Sequence, residues 1–435
     1  MDAMLALRLL SKIHREFGKP LNASYIDIKA AFDSVDREAL WKAMKAKGTP
    51  PILLHLIRDL HSGTTSSVQV GGDVSAPFAT TSGVCQGCIL APALFCCAID
   101  WIMSRCTQDL GVKVHGTLFT NLDYADDAVL FTDNPSTWPN SLQRFEAEAN
   151  NRGMHTSWAN TKVQNIGCGP PPAPVTVVGQ SVDSVEKFTY LWFDMDSSGR
   201  SAPDMLHRIG LTSATMSRLA RVFKNKRQNL STNLRIYNSC VLPVLLYGSE
   251  AWTLLREDGR RLQAFHMRCQ RHILGIRWFD RVTNEAVVQQ SGSEDIRNII
   301  AGRRHSLFGH IRRLPDNTPA HITLHTAINV RRGHKPGIEW TRTRGRPRST
   351  WIHQLEVDQG TPAHELWDTA SDRRVWASIR ADRRPTERQT TLHLPGSRRW
   401  AIGQAPNVRR RRSDRRVLSL FGRQSDGAVG KTVRR

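Results

Sequence analysis

No apolar run in this 435-residue chain approaches the ~18 residues needed to span a bilayer, so no membrane-spanning helix is expected. The N-terminus, 1-MDAMLALRLLSKIHREFGKP-20, has no signal-peptide cleavage pattern, which argues against secretion. It reads as an amphipathic helix, and Asp2 and Glu16 argue against a mitochondrial presequence. Cysteine is irregularly placed: Cys85, Cys88, Cys96, Cys97, Cys106, Cys168, Cys240 and Cys269 follow no repeated spacing. Free thiols in a reducing compartment, nucleus or cytoplasm, are therefore expected over a disulfide framework. No segment repeats. Acids are in short supply, 39 Asp+Glu against 61 Lys+Arg, and the net charge of +22 points to a polyanionic partner.

That charge is unevenly spread. Residues 1–199 hold 16 Lys+Arg against 20 Asp+Glu, a net of −4. Residues 200–370 hold 27 against 14, and residues 371–435 hold 18 against 5, each a net of +13. An acidic front joined to a basic rear fits a catalytic head with a nucleic-acid grip, although a basic tail can also be merely solvated.

The pattern of elements changes at the same place. The front half mixes short strands and helices: a strand at 23-ASYIDI-28, a helix from the N-cap Asp36 to Gly48, and another across 51-PILLHLIRDLHSG-63. A hairpin turning at Gly71-Gly72 follows, then a glycine-bearing loop, 82-SGVCQGCILAP-92, and the helix 93–106. From about residue 203 the chain reads as long helices, 204–225, 231–248 and 257–276. Beyond 331 it is rich in Arg, Gly and Pro, and 409-RRRRSDRR-416 has the composition of a disordered tail.

Against this background 117-TLFTNLDYADDAVLFTD-133 is unusual, because Asp126 and Asp127 interrupt an apolar run. The alternation predicts two strands around a tight turn, where an Asp pair is ordinary when taken alone. Phosphoryl transfer gives the pair a second meaning. Two metal ions about 3.5–4 Å apart steady the attacking and leaving oxygens of an in-line displacement. Mg²⁺ needs only a few converging carboxylates from the protein. Asp27 at a strand end and Asp126-Asp127 at a hairpin tip offer that set, with a Gln-Gly loop between them in sequence.

The order 25-YIDIKAAFDSVD-36, 83-GVCQGCILAPALF-95, 124-YADD-127 and 188-FTYL-191 resembles the reverse transcriptase of non-LTR (LINE-type) retrotransposons, motifs A, B, C and E in register. The stretches 247-YGSEAW-252, 274-LGIRW-278 and 304-RHSLFGHIRRLP-315 resemble the helical region that follows in such elements. The resemblance implies an α+β fold: a right-hand polymerase palm, an antiparallel sheet with packed helices, over 1–199. It implies an all-α thumb over 200–330, a basic segment over 331–380 and an Arg-rich, partly disordered tail over 381–435. The implied activity is RNA-directed DNA polymerisation with an RNA template, a DNA primer or target and dNTPs. Two Mg²⁺, or Mn²⁺ in their place, would be the cofactors, with no small-molecule cofactor.

Roles carry over residue by residue. Asp27, Asp126 and Asp127 match the metal-binding acids. Phe32 matches the aromatic gate that excludes a ribose 2′-OH, and it also suits a core position beside the next helix. Gln86 and Gly87 match the loop backing the incoming nucleotide. Lys162 matches a candidate proton donor to pyrophosphate, although a lone lysine is more often a surface group. Phe188, Tyr190 and Leu191 match the primer grip. Arg261, Arg268, Arg271, Arg344 and Arg346 are candidate nucleic-acid contacts, and Arg344-Gly345-Arg346-Pro347 also resembles the core of an AT-hook.

Three departures stand out. Only 26 residues precede Asp27, so the resemblance leads us to expect a chain without the family's fingers region and upstream endonuclease. Cys85 stands where the family has Arg, and Trp192 where it has Gly. Both changes are reachable by one base substitution, and together they suggest a truncated copy, leaving open a catalytically inactive nucleic-acid-binding remnant. Cys85-x-x-Cys88 lacks a second pair for zinc, and His266, Cys269 and His272 cannot face one ion from a single helix.

Overall fold

The computed structural model describes residues 1–225, 227–345 and 349–381. The expectations for Arg346 and for a tail beyond residue 381 fall outside these described residues. Residues 1–62 and 81–381 form one unit, and 63–80 are described separately. The latter segment is a nested ladder, with Thr65–Ser66 paired to Phe78–Ala79 and Gln69–Val70 to Asp73–Val74 around Gly71-Gly72.

The larger unit is built on a six-stranded sheet. Its spatial order is Val175–Val177, Gln180–Ser184, Lys162–Asn165, Asn22–Ile26, Asp127–Thr132 and Asn121–Tyr124. All neighbours are antiparallel except Lys162–Asn165 beside Gln180–Ser184. The central strand Asn22–Ile26 is buried along its whole length, as expected where both faces of a sheet are covered. Alternation divides its side chains between two cores. Ile26, with Ala128 and Leu130 from the neighbouring strand, packs beneath the helices Ala91–Cys106 and Trp138–Asn150 through Phe95, Ile99, Leu142 and Phe145. Ala23 and Tyr25, with Val129 and Phe131, join the other core, which continues into the rear helices.

The first helix, Asp2–Glu16, departs from its amphipathic reading. Met4 to Ser11 are all buried, with Ile13 and His14. Arg8 lies under the rear helices with its guanidinium 4.6 Å from the Phe193 ring, and Lys12 donates to the Thr253 hydroxyl. Burial pushes the Lys12 ammonium well below its ordinary range, and the neighbouring cations Arg8 and Arg304 push the same way. The charges that suggest a solvent face are internal because Phe193 and Gly199 meet Arg8 and Thr253 meets Lys12, while the helix Pro319–Arg331 packs along the same helix.

The rear half is helical as expected, with two differences. The long helix expected over 231–248 is broken: Leu230–Ile236 runs into a π turn at Tyr237–Val241, and Pro243 sits in the short helix that follows. Residues beyond 331, which read only as basic and rich in Gly and Pro, contain the helices Trp351–Gln359, Ala363–Thr369 and Arg373–Ala381. Trp351, Trp367 and Trp376 seat them in the same core as the first helix.

Candidate active site

The strand Asn22–Ile26 runs antiparallel to Asp127–Thr132, with Ile26 opposite Ala128. The pairing ends there, so Asp27 and Asp127 are the next residues along the two segments, near enough for the Asp27 charge to act on the Asp127 carboxyl. Tyr124 pairs with Asp127, so Ala125 and Asp126 form a two-residue turn, and Ala125 takes a left-handed φ of 54°. The turn reading was thus right in place, while Asp127 is the first strand residue rather than part of the turn. Alternation puts Asp27 and Asp127 on the same face as Tyr25. Partial desolvation, and then the charges of Asp126 and Asp27, push the Asp127 carboxyl up to about 6.

Sequence reasoning missed Asn160. The strand on the other side of Asn22–Ile26 pairs Lys162 with Tyr25, and the turn just before it, anchored by Ser157 N–H donating to Asp27 O, brings Asn160 to Asp27. Asn160 Nδ2 donates to Asp27 Oδ2 at 2.9 Å, fixing the orientation of that carboxylate. The available signal was its place two residues before Lys162. Asp123 was missed too. It is largely enclosed on the opposite face, and burial drives its carboxyl up to about 7, with Asp100 adding to the rise. Lys162 itself is held by Asp183 at 2.7 Å.

Phe32 stacks on Phe95, with centroids 4.6 Å apart at 21°. The two alternatives for this residue are compatible, since a half-buried ring can both rest on the core and present an edge. Beside it, the glycine-bearing loop docks by backbone: Val84 N–H donates to Phe32 O, and Gly83 N–H to Val35 O, both at 2.8 Å. Gly83 is required here, because its φ is +77° and a Cβ would come within 2.7 Å of Asp33 O. Gln86 and Gly87 are exposed at the loop's outer end, Gly87 with φ +96°.

The hairpin Lys187–Tyr190 and Phe193–Asp196 turns through Leu191 and Trp192. Phe188 stacks on Tyr25 with centroids 4.0 Å apart, and Tyr190 is buried beside it. The hairpin is therefore fixed to the same sheet face as Asp27. Tyr247 Oη donates to Leu191 O at 3.0 Å.

Residues 5–193 match the family model described as reverse transcriptase (RNA-dependent DNA polymerase). A transposon-derived protein of Caenorhabditis elegans is 25% identical over 62% of this chain and 97% of its own length. The Pol polyprotein of the R2 retrotransposable element of Popillia japonica is 26% identical over 55% of this chain. The RNA-directed DNA polymerase of the mobile element jockey, from Drosophila melanogaster, is 25% identical over 59%. Over residues 5–193 this chain is similar to the reverse transcriptases of non-LTR retrotransposons. The match spans 40% of the R2 polyprotein and 29% of the jockey polymerase.

Enzymes of the reverse transcriptase family use divalent metal ions, and the donor set at the tip suits them: three carboxylates, all hard oxygen ligands, with mutual repulsion for a cation to relieve. Asp27, Asp126 and Asp127 are the residues that would hold the ions. In this conformation their ligand atoms are not gathered within 4.8 Å of one another, whereas Asp194, Asp204 and His207 are. That second group is already satisfied. Asp194 accepts from Thr189, His207 and Lys187, and Asp204 from Trp252 Nε1 and the Asp194 N–H. It is a buried polar network tying the hairpin that ends at Asp196 to the first rear helix.

The arginines divide by what they touch. Arg271 donates to Val282 O at 2.9 Å and to Asn284 Oδ1 at 2.8 Å, so it staples a loop and is not an open phosphate contact. Arg261 pairs with Glu257 at 3.3 Å. Arg268 and Arg344 are exposed. His266 bonds to Tyr237 and Ser293, consistent with a structural rather than a metal-binding role. No helix among the described residues is long and apolar enough to cross a membrane.

Proposed function

We propose that this chain extends a DNA primer on an RNA template, with Asp27, Asp126 and Asp127 holding two Mg²⁺ ions. The observation that supports the reading is the strand pairing that ends one residue short of Asp27 and Asp127, next to the hairpin-tip Asp126. The sheet with its two helices acts as the palm, and the helices from Ala202 act as the thumb. Asp27 is aimed by the amide of Asn160. Phe32 lies where a ring can exclude a ribose 2′-OH, and Gln86 and Gly87 face the incoming dNTP with open backbone. Phe188, Tyr190 and Leu191 steady the primer end. The metals, when bound, supply charge neutralisation of the transferring phosphate.

A second reading, nucleic-acid binding without synthesis, is favoured by Lys162. Its ammonium is engaged by Asp183 and not free to protonate pyrophosphate. Primer extension with an RNA template, an annealed DNA primer, Mg²⁺ and labelled dNTPs separates the two. Extension that disappears in Asp126→Asn supports polymerisation. Retained hybrid binding without extension by the unmutated chain supports the second reading.

A further inference from the structure

The stretch 274-LGIRWFDR-281 joins the long helix Arg256–Leu274 to the next helix, Asn284–Ser291. Its two aromatic residues are turned outward. Trp278 is 91% exposed and Phe279 54%, although rings of this size are ordinarily well covered. The two rings pack edge to face, 5.7 Å between centroids, and the Arg277 guanidinium lies 5.7 Å from the Phe279 centroid.

This exposure does not come from a loose loop. Gly275 ends the helix in a left-handed conformation, with φ 71°. Asp280 Oδ2 accepts from the Arg277 N–H at 2.6 Å and closes a single 3₁₀ turn that carries Trp278. Arg271 reaches from the preceding helix to Val282 O and Asn284 Oδ1, binding the far end of the loop. Thr283 then caps the next helix. The loop is fastened at both ends and its aromatic tip is left in water.

The surrounding charges select the ligand. Arg268, Arg277 and Arg281 are exposed. The acids nearby, Asp280 and Glu285, are outnumbered by these three cations. A rigid aromatic pair rimmed by arginines matches an unpaired base stacked on a ring with its phosphates on the cations.

We propose that Trp278 and Phe279 form a stacking platform for an unpaired nucleotide of a single-stranded nucleic acid, with Arg277 and Arg281 contacting the flanking phosphates. The platform goes beyond the polymerase reading and needs neither metal nor dNTP. It is tested by fluorescence anisotropy on the full chain in EDTA, with labelled oligouridylate, its deoxy counterpart and a duplex of equal length. Trp278→Ala is expected to weaken single-strand binding roughly tenfold, the loss of about one stacked base, and to leave duplex binding unchanged. Trp278→Phe should restore most of the affinity. Arg277→Ala combined with Arg281→Ala should flatten the salt dependence, lowering the log–log slope by about 1.4. A preference between ribose and deoxyribose strands identifies which one the platform takes. Equal single-strand affinity of Trp278→Ala and the unmutated chain overturns the proposal. So does a Trp278→Ala variant that loses self-association while its nucleic-acid affinity is unchanged. Primer extension is not read in this assay, so failure of the polymerase reading leaves the result interpretable.

Discussion

Two hairpin tips in this molecule are built alike and differ in what they carry. Ala125-Asp126 and Leu191-Trp192 each join antiparallel strands through two residues, and neither contains glycine. Ala125 adopts φ 54°, and Leu191 and Trp192 adopt 50° and 62°. Non-glycine residues in the left-handed region cost roughly 1–2 kcal/mol each. At the first tip that strain accompanies a cluster of acids whose placement depends on the tight turn. The second holds Leu191, proposed above for the primer grip, and an exposed tryptophan to which no such role is given. Strain retained beside chemistry is expected of a functional site. Strain with no such return marks a position that can be improved.

The largest effect expected from this comparison is at the first tip. Asp126→Asn should reduce primer extension on the order of a thousandfold, since it removes a charge aimed at the metals and the transferring phosphate. The folded state should tolerate the change, so thermal unfolding is the matching control. Loss of stability in parallel with activity would mean that the carboxylate serves the turn and not the reaction.

Activity comparisons between the tips must avoid acid, because the chain has its own acid limit elsewhere. Burial holds His14, in the first helix, and His266, in the long rear helix, near pKa 4, against an ordinary 6.5. Both are neutral in the fold and bind protons more readily when unfolded. Their contribution is therefore complete above pH 6.5 and is lost as pH falls toward 4, by roughly 3 kcal/mol for each. Urea unfolding between pH 7 and 4 should show the decline. His14→Gln or His266→Gln should flatten it by about half, and an unchanged slope in both variants would rule these residues out.

Asn160→Ala sharpens the reading of the first tip further. Removing the amide that orients Asp27 should lower kcat about tenfold, as loss of a partner to a metal-binding carboxylate commonly does. KM for dNTP should change little. A change confined to KM would instead assign Asn160 to nucleotide binding.

How much of this was readable in the sequence varies with the range of the interaction. The strand expected over 23–28, found as Asn22–Ile26, the Asp126 turn and the Asp36 cap follow from alternation and capping between near neighbours. Asn160 did not, because its role arises from a contact between segments far apart in the chain. The first helix was misread for a related reason. Arg8 and Lys12 suggest a wet face, and only partners far away in the chain, Phe193 at Arg8 and Thr253 at Lys12, reveal that the face is covered. Local pattern carried the tip, while distant partners decided what surrounds it.

The smallest effect falls on the second tip, where it separates strain from use. A two-residue turn with both φ values positive favours Asn-Gly, and Trp192 occupies the glycine place. Trp192→Gly removes a left-handed penalty of roughly 1–2 kcal/mol and gives part of it back as unfolded-chain entropy, leaving a net gain of about 1 kcal/mol. Because the side chain is 76% exposed, little packing is lost. The urea midpoint should rise with the slope unchanged. Tyr247, whose hydroxyl bonds to Leu191 O, should hold the hairpin in either variant. A lower midpoint would show that the Trp192 ring contributes more than its exposure suggests. Increased primer extension at equal protein concentration would show that the strain also hinders the primer grip, and the two tips would then differ only in how far each departs from the turn its strands require.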